Sequence, residues 1–102
     1  MTLEGKGFFL WRIPNCEHGD AGSIAAQAKG AGLSHLLIKV ADGTMIYNGT
    51  WGDPKDYTTA VVNALRALGI QVWGWHYVYG DNPTGEANVA IARIRQYDLD
   101  GY

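Results

Sequence analysis

An internal repeat limits the possible folds of this chain more than any other feature. The segment "GLSHLLIKVADG" (32–43) aligns with "GIQVWGWHYVYG" (69–80) at an offset of 37 residues. Each segment starts with glycine and an aliphatic residue, continues as an apolar run and ends with glycine. Apolar runs with little polar alternation are typical of strands in a parallel sheet whose two faces are covered. The repeat therefore predicts βαβ units with right-handed crossovers.

Helical patterns precede Gly32 and Gly69, and a third helical pattern follows the second segment of the repeat. Asp20 or Ser23 can cap a first helix that Gly32 ends. The third helix is predicted to start near Thr84 and to end around Tyr97. The second helix, which Gly69 closes, has an apolar stripe formed by Tyr57, Val61, Ala64, Leu65 and Leu68. The corresponding strands are predicted at 8–13, 35–41 and 72–79.

Together these elements predict an α/β fold that is a partial TIM barrel, a half-barrel-like fragment with three βα units and parallel strands. The whole chain, 1–102, is predicted to be a single partial (βα) barrel domain, and "LDGY" (99–102) is predicted to begin a fourth strand. A complete barrel takes about 250 residues, and a flavodoxin-like sheet, the competing architecture, needs about five strands. Three strands would leave two unpaired edges. We therefore expect a homodimer or higher homo-oligomer, with domain swapping of a terminal element as one route.

Composition excludes several classes of partner. The 102 residues are 47% hydrophobic and 18% charged, as in one globular domain, and the net charge is −2. The basic residues are scattered, which argues against nucleic acid and anionic membranes as partners. Cys16 is the single cysteine, so no internal disulfide is predicted, and no Cys/His cluster with metal-ligand spacing surrounds it. No metal site and no cofactor are predicted. The amino terminus, "MTLEGKGFFLW", does not match a secretory signal, and a cytoplasmic location is predicted.

Candidate site residues lie at the predicted carboxyl ends of the strands, where α/β folds place their ligands. Asp42, in "ADG", is the best candidate and would accept a hydrogen bond from a sugar hydroxyl; alternatively, its side chain bonds its own backbone in a turn. Lys39 and His76 are one repeat apart and are predicted to share a face. Strict alternation puts Asp42 on the opposite face from Lys39, unless the strand has ended before Asp42. Alternatively, Lys39 extends to solvent and His76 is a hydrogen-bonded core residue.

Aromatic residues follow a two-residue spacing along the third predicted strand, so they share one face. Such a row suits a sugar-binding cleft, and it equally suits packing against helices. Trp11 and Trp51 are weaker candidates. The predicted ligand-binding residues are Arg12, Lys39, Asp42, Trp75, His76, Tyr77 and Tyr79.

Five segments carry a resemblance to a known family: "GFFLWRI", "HGDAGSIAAQAKGAG", "LLIKVADG", "ALRALGIQVWGWHYVYG" and the "EA" of "TGEANVAIA". Together they resemble the first part of a bacterial family of glycoside-hydrolase-like TIM barrels and, more loosely, the lysozyme-type muramidase barrels. The resemblance covers Gly5 to Tyr102 but less than half of that family's domain. It implies that the strand after "LDGY" carries an Asp-x-Glu pair for acid and base chemistry.

The printed sequence ends before that strand, and "FFLWRIPN" lacks the acidic residue that muramidase-like barrels carry at the end of their first strand. We therefore expect no enzyme activity, and we expect a non-catalytic barrel fragment that folds and self-associates to cover its open sheet. The alternative is a carbohydrate-binding or glycosidase-like module whose catalytic carboxylates come from another chain or a complementary half-barrel. The acids at predicted loop ends are Glu17, Asp42, Asp53 and Asp81.

Overall fold

A computed structural model describes residues 3–49 and 56–102, so the candidates Trp51 and Asp53 lie outside the described residues. Two short 3-10 turns, Ile13–Asn15 and Glu17–Gly19, follow the first strand. Within the described ranges, the strands and α-helices are β1 (Gly7–Leu10), α1 (Ala21–Gly30), β2 (His35–Asp42), β3 (Met45–Ile46), α2 (Tyr57–Ala67), β4 (Gln71–Tyr77) and α3 (Pro83–Tyr97).

The three predicted helices are confirmed, and local sequence signals explain their ends. Asp20 caps α1 by accepting a hydrogen bond from the Ser23 N–H at 2.8 Å, and Asn82 caps α3 in the same way. Gly69 follows α2 with a φ of +76°, a left-handed conformation that glycine adopts without steric cost. None of the helices in the described ranges is long and apolar enough to cross a membrane.

Strand β2 is the centre of the sheet. It pairs in parallel with β1 from Gly7 opposite His35 to Leu10 opposite Ile38, and in parallel with β4 on its other side. Strand β3 pairs with the end of β2 in the antiparallel direction, through Ala41 and Asp42. The result is a four-stranded mixed sheet.

The prediction of a partial TIM barrel made of three parallel βα units is therefore wrong. The chain reverses immediately after β2 through the two residues Gly43 and Thr44, and Met45 then pairs with Asp42. Gly43 has a φ of +57°, which suits the first position of a two-residue hairpin loop. The repeat shows where strands and helices recur, but it does not distinguish a loop from a short return strand.

The first strand is also shorter than predicted. It ends at Leu10 instead of Ile13, because Ile13 starts a 3-10 turn. Pro14, in that turn, has no N–H to donate to a β-ladder.

The segment after α3 lies beside β4. Gly101 forms an isolated parallel bridge with Trp73. The Asp100 N–H donates to the Val72 carbonyl at 2.8 Å, and the Asp100 side chain accepts from the Val72 N–H at 2.7 Å. The Gly74 N–H also donates to the Gly101 carbonyl at 3.0 Å, and the Tyr102 hydroxyl is hydrogen-bonded to His76, so the residues "LDGY" lie along the outer edge of β4.

The core lies between the helices and one face of the sheet. Leu36, Ile38 and Val72 belong to it, together with Val61 and Leu65 of α2. The other face carries large rings that are partly or mostly exposed, and we call it the aromatic face: Phe9, Trp11, Trp73 and Trp75. The carboxyl ends of the parallel strands bring the candidate site to one edge of this face.

Candidate functional site

A β-bulge brings the two central side chains of the site together. Lys39 pairs with Trp75, but Ala41 pairs with His76, so the register shifts between Lys39 and Ala41. An extra residue in one strand reverses the faces of all residues that follow it. Asp42 consequently lies on the side of Lys39, and its Oδ2 is 2.7 Å from the Lys39 Nζ. The prediction from strict alternation, which separated these two residues, is wrong.

The Lys39 ammonium group is buried in a cage of aromatic rings. Its side chain is 1% exposed, and its Nζ lies 4.3 Å from the ring centroid of Trp11 and 4.1 Å from that of Tyr47. The ring of Trp75 is 5.6 Å away. Such cation–π contacts, with one carboxylate partner, compensate for the desolvation of the charge. The alternative that Lys39 extends to solvent is therefore wrong.

Asp42 links this cage to Tyr79. Its Oδ2 accepts from Lys39, and its Oδ1 accepts a hydrogen bond of 2.6 Å from the Tyr79 hydroxyl. The hydrogen bond from Lys39 and then that from Tyr79 lower the pKa of Asp42. Donation to Asp42 is in turn the main reason that the pKa of Tyr79 is raised. Asp42 is therefore ionised near neutral pH, and both of its oxygens have side-chain partners.

Glu86, which belongs to the "EA" of "TGEANVAIA" but was not predicted to be a site residue, holds the loop that carries Tyr79. The Glu86 side chain is 3% exposed, and its two oxygens accept from the backbone N–H groups of Tyr79, at 2.8 Å, and Gly80, at 3.0 Å. The only sequence signal is its position in the first turn of α3, after Asn82 and Pro83. The carboxylate thus positions the ring of Tyr79 over the end of β2.

Asn48 is a second residue that sequence reasoning missed. Its side-chain N–H groups donate to the carbonyls of Trp11 at 2.8 Å and Lys39 at 2.9 Å, and its Oδ1 accepts from the Ile13 N–H at 3.0 Å. The regular ladder between β1 and β2 ends one residue before Trp11 and Lys39, at the pair of Leu10 and Ile38. One amide side chain therefore replaces that ladder and keeps Trp11 against Lys39.

Exposed rings surround the buried network. Trp11 is 53%, Tyr77 51% and Tyr79 59% exposed. The ring centroids of Tyr77 and Tyr79 are 5.1 Å apart, and Trp11 packs edge to face with Trp75 at 5.4 Å. We call Trp11, Tyr77 and Tyr79 the aromatic rim.

Two candidates lie apart from this network. The His76 Nδ1 is hydrogen-bonded to the Tyr102 hydroxyl at 2.7 Å, and burial lowers its pKa. His76 follows Trp75, the partner of Lys39, so the predicted common face of Lys39 and His76 is wrong. Arg12 lines a separate cleft of about 220 Å³ with Pro14 and Tyr47.

The described residues contain no group of three or more His, Cys, Asp or Glu side chains that could hold a metal ion. Comparison of the chain with models of known protein families, with curated proteins and with solved structures finds no match. The resemblance to glycoside-hydrolase-like barrels thus gains no support from relatives. Function must be argued from the geometry of the site itself.

Proposed function

We propose that this chain is a non-catalytic carbohydrate-binding domain, and that a sugar binds across the aromatic rim at the carboxyl ends of β2 and β4. The observation that carries the proposal is the combination of three exposed rings with one fixed carboxylate. Trp11 touches the Lys39 ammonium group, which is paired with Asp42, which in turn is bonded to Tyr79. Apolar ring faces suit the C–H face of a sugar, and the polar groups suit its hydroxyls.

The proposed site is already organised before a ligand arrives. Lys39 and Glu86 are almost fully buried, and they fix Asp42 and the backbone of Tyr79 through hydrogen bonds of 2.7 and 2.8 Å. A ligand therefore does not have to order these groups when it binds. This preorganisation lowers the entropic cost of binding.

The hydrogen bonds of the two carboxylates, Asp42 and Glu86, favour sugar binding over sugar hydrolysis as the function of the site. Glycoside hydrolysis needs one carboxyl group that stays protonated as the acid and a second one that is ionised. Asp42 has a lowered pKa, and both of its oxygens have partners. Both oxygens of Glu86 accept backbone N–H bonds. Neither group is arranged as a general acid, which supports a domain that binds a sugar without cleaving it.

The proposal is tested by titration with two soluble β-1,4-linked oligosaccharides, cellotetraose and the tetramer of N-acetylglucosamine. Binding is followed by tryptophan fluorescence and by amide chemical shifts. We expect at least one of them to shift the indole signals of Trp11 and Trp75. Replacing Tyr77 or Trp11 by alanine should weaken that binding about tenfold, because a ring contact contributes roughly 1 kcal/mol beyond its buried area.

Ile91 supplies the matched control. It is an apolar residue of α3 that is 45% exposed, comparable to Tyr77, but it belongs to no part of the rim. Ile91→Ala should leave the affinity unchanged. Failure of both oligosaccharides to bind at millimolar concentration, or equal weakening by Ile91→Ala and Tyr77→Ala, would contradict the proposed function.

A further inference from the structure

The residues Asp100–Tyr102, which we call the strap, lie against the outer edge of β4. Asp100 exchanges two hydrogen bonds with Val72: its N–H donates to the Val72 carbonyl at 2.8 Å, and its side chain accepts from the Val72 N–H at 2.7 Å. The Gly74 N–H donates to the Gly101 carbonyl at 3.0 Å. The strap therefore covers the outward N–H groups of Val72 and Gly74.

The segment just before the strap is fixed. Asp98 has a left-handed φ of +52°, and its carbonyl and that of Tyr97 both accept hydrogen bonds from the Arg66 guanidinium. Leu99 is 8% exposed and belongs to the core. Movement of the strap would therefore start after Leu99 and would leave the core in place.

One side chain of β4 holds the far end of the strap. The His76 Nδ1 is hydrogen-bonded to the Tyr102 hydroxyl at 2.7 Å, and the two rings meet edge to face with their centroids 5.5 Å apart. The His76 Nε2 is buried and has no hydrogen-bond partner among the described residues. An unpartnered buried nitrogen is tolerated while the ring is neutral, because burial of an unpaired charge costs far more free energy.

The charged groups around His76 do not reverse this preference for the neutral ring. Burial is the main influence on the pKa of His76 and lowers it, whereas the carboxylates of Glu86, from α3, and Asp42, from β2, act in the opposite direction. Burial also raises the pKa of Tyr102 to about 12, against the opposing charge of Arg93 from α3, so the Tyr102 hydroxyl stays neutral. His76 is therefore neutral at neutral pH while the strap is bound.

We propose that the strap is a pH-sensitive latch, bound to β4 while His76 is neutral and released when His76 takes up a proton. Protonation places a charge on a ring whose Nε2 has no acceptor, and release of Tyr102 opens that ring to water. Because the pKa of His76 is lower in the bound state than its usual value of about 6.5, the bound state is fully stabilised above that pH. This stabilisation is lost as the pH falls from there to the lower bound-state value. The inference goes beyond sugar binding and does not depend on it, because the latch uses the outer edge of β4 and not the rim.

Amide hydrogen exchange tests the latch, with rates converted to protection factors so that the intrinsic effect of pH on exchange is removed. The N–H groups of Val72 and Gly74 bond the strap, whereas strand alternation turns those of Trp73 and Trp75 towards β2. Between about pH 7.5 and pH 5, the protection of Val72 and Gly74 should fall by about tenfold for each unit by which the bound strap lowers the pKa of His76. The protection of Trp73 and Trp75 should stay constant. Carboxyl groups do not titrate in this window, since their usual pKa values are about 3.9–4.3.

Two substitutions separate the latch from a general loosening of the fold in acid. His76→Gln keeps a polar side chain that can bond the Tyr102 hydroxyl but cannot take up a proton, so the protection of Val72 and Gly74 should become independent of pH. His18→Asn is the matched control. His18 is exposed and has a φ of +55°, which asparagine tolerates, so this variant should keep the pH dependence of the wild type.

A second measurement does not require a substitution at His76. The pKa of His76 is read from the imidazole C–H signals in an NMR titration, and Tyr102→Ala should raise it towards about 6.5, because the ring that packs against the imidazole is removed. Constant protection of Val72 and Gly74 in the wild type, or an equal loss at Trp73 and Trp75, would overturn the proposal. A pH dependence that persists in His76→Gln, or a pKa of His76 that Tyr102→Ala leaves unchanged, would also overturn it.

Discussion

The two parallel neighbours of β2 differ in what holds them. Strand β4 pairs with β2 along its whole length, Gln71–Tyr77, and places Val72 in the core with 0% exposure. Strand β1 pairs through four residues, and its Phe8 and Phe9 are each more than half exposed. Strand β4 is thus held by a long ladder and by packing, whereas β1 is held by a short ladder, by the buried side chain of Leu10 and by the side chain of Asn48 beyond its end.

This difference separates two kinds of surface. The side of β4 ends in a network of charged residues, in which the buried Lys39 and Glu86 and the partly exposed Asp42 fix the exposed ring of Tyr79. On the side of β1, the rings of Phe8 and Phe9 are more than half exposed, and no described strand pairs with the outer edge of β1. A preorganised network suits the binding of a small polar ligand, whereas an open apolar edge suits another strand.

The largest expected effect is a loss of stability, and it should differ between a substitution in β2 and one in β1. Ile38, in β2, is 0% exposed, so Ile38→Ala should lower the free energy of unfolding by about 2–5 kcal/mol through lost burial and a residual cavity. Phe9→Ala, on the exposed strand, should change it by less than about 0.5 kcal/mol. Urea denaturation at low protein concentration measures both. Equal losses in the two variants would mean that β1 is as tightly packed as β2.

A smaller loss of stability is expected when Asn48 is replaced, because its side chain joins the residues after β1 to β2. Asn48→Gly keeps the positive φ of +54° accessible but removes three hydrogen bonds. The variant should lose about 2 kcal/mol of unfolding free energy, because each lost bond contributes about 0.5–1.5 kcal/mol and buried partners stay unpaired. Amide exchange should also become faster in β1 than in β4. Uniform acceleration in both strands would contradict the local role of Asn48.

The smallest expected effect is on how stability depends on pH, through Asp42 in the network beside β4. A carboxyl group with a lowered pKa in the folded chain stabilises the fold above its unfolded pKa of about 3.9, and this stabilisation is lost as the pH falls through the lower folded value. The melting temperature should therefore fall more steeply below pH 4 in the wild type than in Asp42→Asn. Asp81→Asn is the matched control, since Asp81 is an exposed carboxylate that takes no part in the network; it should leave the acid profile of the wild type unchanged. Identical acid profiles for the wild type and Asp42→Asn would show that the network adds no stability.

Much of the helical structure was predictable from short sequence signals. Asp20 before α1, Asn82 before α3 and Gly69 after α2 mark helix ends through contacts within a few residues of the chain. Apolar stripes likewise predict which helix faces are buried. These features depend on local geometry, so sequence alone is sufficient for them.

The candidate site was predictable in its membership but not in its arrangement. Asp42 and Tyr79 were named from their positions at strand ends, Lys39 from the repeat and Trp75 from the spacing of the aromatic residues. The structure brings these four together. The bulge that sets Asp42 on the side of Lys39 depends on how β2 and β4 align, and a shift of one residue reverses a face. Asn48 and Glu86 escaped notice because their partners are backbone groups of other elements.

By itself, therefore, the sequence determined the helices, their caps, the apolar strand segments and the polar and aromatic residues near the strand ends. Only the tertiary structure decided that Met45 and Ile46 return antiparallel to β2, that the sheet is mixed, and that Lys39 rather than His76 enters the aromatic cage. The physical reason is the range of the interactions. Caps and helical stripes act over three or four residues, whereas strand register and side-chain pairing join residues that are distant in sequence.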